Sequence, residues 1–278
     1  TYLDIAIIFH KINELEKCNV FLDKAKIAAK SKDQEFWTIR ELINISLFEN
    51  EIKMHDQSYN TLLDAKNTIP EIPDERLVLE LVDAFAKINK INDAEELISL
   101  IKPRYEKSMA YAFIGKQLRN KNNNTKMVFY LDKAIEIAPD LIAGNYEFQG
   151  LPGFSTKGRV FSEVAKIYAS NGEFEIAHKL LGLIESDRFY KEGLSEIIII
   201  QAQKDKVGAK NLALKMLELG GEIIDNKFLG KIAYAQSISG DIENSFNTLN
   251  KMNLGQDFSQ TLINISNYFN LQQADPQA

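Results

Sequence analysis

An all-α fold of stacked helical hairpins is predicted by three observations. First, a leading apolar residue recurs at Tyr2, Leu42, Val78, Tyr111, Phe161, Leu194, Leu229 and Leu262. Three positions after each stand Ile5, Ile45, Leu81, Ile114, Val164, Ile197, Ile232 and Ile265, so all sixteen slots are apolar. In a chain that is 45% hydrophobic, chance gives such agreement roughly once in several hundred thousand trials. Second, the next residue is small in six of eight cases, Ala6, Ser46, Gly115, Ala165, Ala233 and Ser266, with Val82 and Ile198 as exceptions. Third, twelve residues later come Cys18, Ser58, Ala94, Met127, Ala177 and Ser245, followed after four more by Leu22, Leu62, Ile98, Leu131, Leu181 and Leu249. An i to i+4 step keeps both on one face of a second helix, and a small slot lets the two helices cross closely.

The elements follow in order. Successive small slots lie 40, 36, 33, 50, 33, 35 and 33 residues apart, a spacing that marks a helical repeat of about 33 to 35 residues with insertions. Asn13, Asn89, the run Asn122 to Asn124, Gly172 and Gly240 fall between paired helices, and these residue types tolerate the left-handed backbone that ends a helix. Glu14, Glu173 and Asp241 then open the second helix, where a carboxylate meets the positive end of the dipole. The sixth hairpin is irregular: Lys210 falls where a small residue belongs, and Ala209 fits only with a turn one residue shorter. Hairpins one to four are thereby expected over 1–139, an insertion over 140–156, hairpins five to seven over 157–258, a lone capping helix over 259–271 and a flexible tail over 272–278. Asn264, Asn267 and Asn270 give that last helix a polar outer face. The insertion carries Gly144, Gly150, Pro152 and Gly153 beside Tyr146, Phe148 and Phe154. Glycine and proline discourage a helix there, while the aromatics call for burial or a partner, so these three are candidate contact residues.

Tyr111, Ile114, Gly115, Leu118, Met127, Leu131, Ala134 and Pro139 form a pattern that resembles the tetratricopeptide (TPR) consensus, and the run YLDKAIEIAPD from Tyr130 to Asp140 is similar to the end of such a repeat. Ala65 and Pro70 repeat the closing pair, and Phe9, Phe85, Tyr168 and Phe269 supply the family's aromatic in four other hairpins. Glu49, Leu118 and Gln236 stand where that aromatic is expected, and most hairpins lack the closing proline. The resemblance covers nearly the whole chain. It implies a right-handed superhelical solenoid of about seven TPR-like hairpins plus a C-terminal capping helix, and by analogy a protein-binding scaffold.

The resemblance also implies that first helices line a concave groove. Lys116 and Asn120, with Lys166 and Ser170, then point into it, and Arg119 and Arg159 complete a basic centre. Ile7, Ile43, Leu47 and Leu79 make the first stretch apolar, with Glu51 and Asp83 offset by Lys11 and Lys87. Tyr234 and Ile263 lie near the far end. Such a groove suits a peptide or partner helix with acidic and apolar anchors. The partner-binding candidates are Lys116, Arg119, Asn120, Arg159 and Lys166. Some TPR domains clamp terminal carboxylates; Asn44 and Arg76 fit that set, but Leu3, Ile7 and Glu80 replace its other members.

Other chemistries are disfavoured. A net charge of −6 opposes a general nucleic-acid or anionic-membrane surface. No apolar run approaches a membrane span or a signal peptide. Cys18 is alone, so no intrachain disulfide framework is expected. His10, His55 and His178 lie in different hairpins without metal-ligand spacing, and GLPGFSTKG (150–158) lacks the Lys-Ser/Thr pair of a phosphate loop. Asn44-Ile45-Ser46 and Asn264-Ile265-Ser266 match the glycosylation sequon, yet their serines occupy crossing slots and read as packing. No cofactor, metal or catalytic constellation is indicated. Tyr2 already fills a packing slot, which predicts a product cut from a longer protein. A cytoplasmic setting is expected, with secretion open if an upstream signal was removed. The function expected is a noncatalytic protein-interaction scaffold. The alternatives are the sensory, peptide-binding part of a larger regulator and a helical-repeat RNA binder.

Overall fold

The computed structural model describes residues 1–32, 34–71, 73–102, 105–138, 156–184, 187–218 and 225–274, and every regular element among them is an α-helix. The chain divides into two compact units, Thr1–Gly144 and Asn145–Ala278.

The first unit holds four hairpins: α1 (Tyr2–Lys11) with α2 (Leu15–Lys30), α3 (Glu35–Glu51) with α4 (His55–Asn67), α5 (Glu75–Lys87) with α6 (Ile91–Ile98), and α7 (Tyr105–Asn120) with α8 (Asn124–Ile137). The second holds α9 (Thr156–Ser170) with α10 (Phe174–Leu181), α11 (Asp187–Lys204) with α12 (Lys206–Glu218), α13 (Asn226–Ile238) with α14 (Ile242–Leu249), and then α15 (Gln256–Ala274) alone. Within each unit the first helix of a hairpin packs on its own second helix, and first helices stack on one another along α3, α5 and α7 and along α9, α11, α13 and α15. This is the TPR-like hairpin array that the sequence pattern implies.

The predicted seams are the core. Ala6, Ser46, Val82, Ala165, Ile198 and Ala233 are fully buried, and so are their partners Cys18, Ser58, Ala94, Ala177, Ala209 and Ser245. Side-chain volume is traded across each crossing. Val82 and Ile198, the two bulky exceptions, face alanines, whereas Gly115 faces Met127. A Cβ on Gly115 would lie 2.7 Å from Leu131 Cδ2 and 3.4 Å from the Met127 carbonyl oxygen, so glycine lets α7 and α8 approach this closely without displacing Leu131. Where both slots are serine the crossing is hydrogen-bonded: Ser46 Oγ donates to the Ser58 carbonyl at 2.8 Å. Ser266, its counterpart in α15, is exposed, and among the described residues no second helix packs over it. Leu262 and Phe269 on the same face are 39% and 38% exposed. α15 is held instead on α13, where Gly230 admits Thr261: a Cβ there would sit 2.4 Å from the threonine hydroxyl. It begins at Gln256, three residues before the expected 259, and Asn264, Asn267 and Asn270 are exposed on it.

The turns obey one register. The residue seven after the small slot has positive φ in six hairpins, at Asn13, Lys53, Asn89, Asn122, Gly172 and Gly240. Lys53 is the member that residue type did not signal. In the sixth hairpin the same register reaches Asp205, which has no left-handed residue before it. Its backbone N–H donates to the Gln201 carbonyl, and its carboxylate accepts from the Gly208 N–H at 2.9 Å, capping α12 directly. The turn is therefore one residue shorter, and Ala209 takes the crossing slot. Glu14, Glu173 and Asp241 occupy N-cap positions without a side-chain cap hydrogen bond. They act on the helix through charge–dipole attraction, and Glu14 and Asp241 also engage Lys17 and Asn244 one turn on.

Two of the three departures from the aromatic slot are polar and follow a common rule. Glu49 is fully buried; its Oε2 accepts from Thr61 Oγ1 at 2.7 Å and its Oε1 lies 3.2 Å from Lys26 Nζ. Gln236 is equally buried, and its Oε1 accepts from Thr248 Oγ1 at 2.8 Å. In both, the threonine lies twelve residues on, the same step that relates the small slots. A buried acceptor needs such a donor.

Candidate binding surfaces

In the first unit, α1, α2 and α3 frame a cleft of about 670 Å³. Its walls are Leu3 and Ile5 from α1, Ala25 and Ala28 from α2, and Ile45 from α3. Alanines on α2 open the space, since a larger residue at either position would fill it. Asn44, exposed on α3, and the pair Lys32–Glu41, with Nζ to Oε1 at 2.6 Å, supply the polar edge. Neighbouring α1 side chains extend the apolar surface: Ile8 and Ile12 are 57% and 60% exposed. Asn44 and Leu3 both belong to the carboxylate-clamp comparison, Asn44 as a position that fits it and Leu3 as one that departs from it. Lys32, Glu41, Ala25 and Ala28 were not singled out, because nothing in their residue types separates a cleft wall from a solvated helix face.

Of the predicted basic centre, Lys116, Arg119 and Asn120 lie on α7 in the first unit. Lys116 and Asn120 are exposed, and Arg119 is half-buried. Arg119 donates through Nη2 to Asn120 Oδ1, and Asn120 Nδ2 donates to Gln117 Oε1 at 3.3 Å, so the three side chains form a polar relay along one helix. Arg159 and Lys166 lie on α9 in the second unit. Arg159 is exposed, whereas Lys166 is half-buried and paired with Glu163 one turn away. That pairing leaves Lys166 less positive field to offer an acidic partner. Tyr146, Phe148 and Phe154 lie outside the described residues.

Further along the first-helix stack, Arg40 bridges α3 to α5 by a two-pronged contact with Glu80, Nε to Oε2 at 2.8 Å and Nη2 to Oε1 at 2.7 Å. Those bonds hold the guanidinium above its ordinary pKa. Glu80 is one of the residues that departs from the carboxylate-clamp set, and here it is committed to a structural partner. Lys87 is paired with Asp83 at 2.6 Å.

In the second unit, α10, α11 and α12 frame a smaller cavity of about 410 Å³. Gln201, 6% exposed, forms its polar floor, between His178 Nε2 at 3.2 Å and Asp205 Oδ2 at 3.2 Å. A carboxylate only accepts, so the Gln201 amide nitrogen faces Asp205 and its oxygen faces His178, which makes His178 Nε2 the protonated ring nitrogen. The Gly208 N–H, with the Gln201 amide, holds the Asp205 carboxyl below its usual range. His178 is half-buried.

Among the described residues no group of three or more His, Cys, Asp or Glu is placed to hold a metal ion. No helix formed by those residues is long and apolar enough to cross a membrane. Cys18 is buried, and burial pushes its thiol pKa up.

Among solved structures, the chain is similar to a Signal Transduction ATPase with Numerous Domains (STAND) protein with a tetratricopeptide repeat sensor from Pyrococcus horikoshii. The two share 16% identity and superpose with a TM-score of 0.39, over 90% of this chain and 40% of that one. The chain thus spans less than half of the length of that protein. No protein-family model matches the sequence, and a search of curated proteins finds no match.

Proposed function

We propose that the chain is a noncatalytic interaction scaffold that holds a peptide segment or a partner helix. The observation that supports this reading most directly is the α1–α2–α3 cleft, about 670 Å³ in volume, apolar within and polar at its edge. Its size falls in the range of roughly 300 to 1,000 Å³ that buries a compact ligand group. An apolar side chain of the partner enters between Leu3, Ala28 and Ile45, and Asn44 is placed to hydrogen-bond its backbone. Lys116 and Arg119 on α7 add attraction for an acidic residue further along the same segment, which serves selectivity and on-rate more than affinity.

The experiment is selection of binders from a random peptide library, followed by titration of the winners against variants. Ala28→Trp fills the cleft from a half-buried position and is expected to reduce affinity at least about tenfold, the loss of one buried anchor. Lys116→Glu is expected to slow association of acidic winners. Far-UV circular dichroism should be unchanged in both. Winners that bind the two variants as tightly as the parent chain would sink the proposal.

A further inference from the structure

The α10/α12 cavity gains meaning from the register that the hairpins share. In hairpins two and three, the cleft between second helices α4 and α6 is closed by side chains. Tyr59, one residue after the slot Ser58, donates to Asp93 Oδ2 at 3.2 Å, and Lys66 reaches Glu96 at 2.7 Å and Asp93 at 3.7 Å. Asp93 stands one residue before the slot Ala94 and Glu96 two after it. In hairpins five and six the same register places His178 for Tyr59, Gly208 for Asp93 and Asn211 for Glu96. Both closing carboxylates are gone, and His178 turns down onto Gln201 instead of across the cleft.

Glycine at 208 leaves room for the floor beneath it. A Cβ there would lie 2.0 Å from Asp205 Oδ2 and 2.4 Å from Gln201 Nε2. The shortened turn of the sixth hairpin, the Asp205 cap and the open cleft are thus one structural unit. The floor is fully committed: the imidazole donates to the Gln201 oxygen, the Gln201 amide to Asp205, and Asp205 also accepts from the Gly208 N–H. The walls are not. Leu181, Leu194 and Leu212 offer hydrocarbon, while Tyr190, Asn211 and Lys215 offer donors. Among the described residues Lys215 is exposed at the mouth with no ion-pair partner, while the Asp205 carboxylate of the floor already accepts from the Gln201 amide and the Gly208 N–H. An exposed cation beside an apolar wall, with the floor carboxylate already hydrogen-bonded, suits an amphipathic anion.

We propose that this cavity binds a small aliphatic carboxylate, either as a free acid or as the C-terminal residue of a peptide. Lys215 and Asn211 receive the carboxylate at the mouth, Tyr190 donates a further hydrogen bond, and the three leucines take the branched hydrocarbon. The site lies on the second-helix side of its unit and is independent of the α1–α2–α3 cleft.

The test is heteronuclear NMR on the intact chain, titrated with sodium isovalerate, with isovaleramide and isoamylamine as matched neutral and cationic probes. Two peptides complete the set, one ending in a free leucine carboxylate and one with the same leucine amidated. The carboxylate is expected to shift the His178 ring and Asn211 amide signals saturably, and the amide and amine are not. Lys215→Gln, at an exposed position, should weaken binding by at least about tenfold, and Lys215→Arg should retain most of it. Binding of isovalerate alone assigns the site to a free acid, and binding of the free-carboxylate peptide alone assigns it to a chain terminus; either supports the proposal. Absence of saturable shifts with both carboxylates would overturn it. So would equal binding of the amidated probes, or equal binding to Lys215→Gln.

Discussion

The clefts between second helices are built on one register in both compact units, yet α4/α6 in the first is closed and α10/α12 in the second is open. In the first unit charge spans successive hairpins repeatedly. Lys26 reaches Glu49, Lys30 reaches Asp64 at 2.6 Å, Arg40 grips Glu80, and Lys66 holds Asp93 and Glu96. Around the α10/α12 cavity the polar groups are neutral amides, an imidazole and a capped aspartate that satisfy one another beneath the surface. The same contrast appears at the aromatic slot, where hairpin two buries the acid Glu49 and hairpin seven the amide Gln236. A repeat fixes where side chains meet. Which chemistry fills the meeting point decides whether a surface is sealed or left able to take a ligand.

The largest expected effect breaks the charged side of this contrast. Lys26, whose side chain is 24% exposed, faces a carboxylate with no exposure at all. Burial alone would lower its pKa, but Asp23 and Glu49 together hold it above the ordinary lysine value. With the folded pKa raised, the stabilisation is fully present below about pH 10.4 and is lost as pH rises through the folded value. Lys26→Met leaves Glu49 buried with only Thr61 as donor, and should cost about 2 to 3 kcal/mol by urea unfolding at neutral pH. Glu49→Gln imports the arrangement of Gln236 and should cost less than half of that. If the charge-neutral variant proved the more damaging, the equivalence of the two slots would fail.

Much of the fold was legible because packing and backbone sterics act on residue type. The apolar slots, the small slots and the turns at Asn13, Asn89, Gly172 and Gly240 could be read directly, since close crossings exclude large side chains and left-handed φ selects asparagine and glycine. Lys53 escaped because its type carries no such signal, although its place seven residues after Ser46 does. The departures Glu49 and Gln236 were visible as departures, but their threonine partners twelve residues on emerged only from the crossing geometry. The candidate sites were less legible. Lys116, Arg119 and Lys166 could be picked as cations from sequence. The pairing of Lys166 with Glu163 and the relay from Arg119 to Gln117 depend on rotamers that residue type does not fix. The α10/α12 cavity arises from side chains that are missing, at Gly208 above all, and a missing group leaves no motif.

The next effect concerns the open cleft. Gly208→Ala drives a methyl into the Asp205 carboxylate and the Gln201 amide, both flexible ends, so they move aside and lose their hydrogen bonds rather than unfold the helix. A cost of about 1 to 2 kcal/mol is expected, the scale of one or two net hydrogen bonds, with weakened protection of amides around the start of α12 in hydrogen exchange. Acid sharpens the same point. The carboxyl of Asp205 is depressed in the folded chain, so its contribution is present above the unfolded value near 3.9 and is lost as pH falls through the folded one. Asp205→Asn should remove that part of the acid sensitivity. An Asp205 carboxyl resonance that titrates near 3.9 in the folded chain would contradict the cap.

The smallest effect tests whether sealing a cleft needs charge for stability. Lys66 carries two acceptors, but Glu96 is 69% exposed and screened by solvent. Lys66→Met keeps the aliphatic stem over the cleft and removes only the ion pairs, so a change within about 1 kcal/mol is expected. The informative readout is therefore occupancy, not stability. With Tyr59 and Asp93 still bonded at 3.2 Å, the α4/α6 cleft should stay closed to isovalerate in Lys66→Met. Adding Asp93→Gly recreates the glycine of the sixth hairpin, but Leu100 stands at the register position of Lys215, so the double variant should also fail to hold the acid. Binding by the single variant would mean that lysine alone closes the cleft. Binding by the double variant would show that a gap suffices without a cation, against the role given to Lys215.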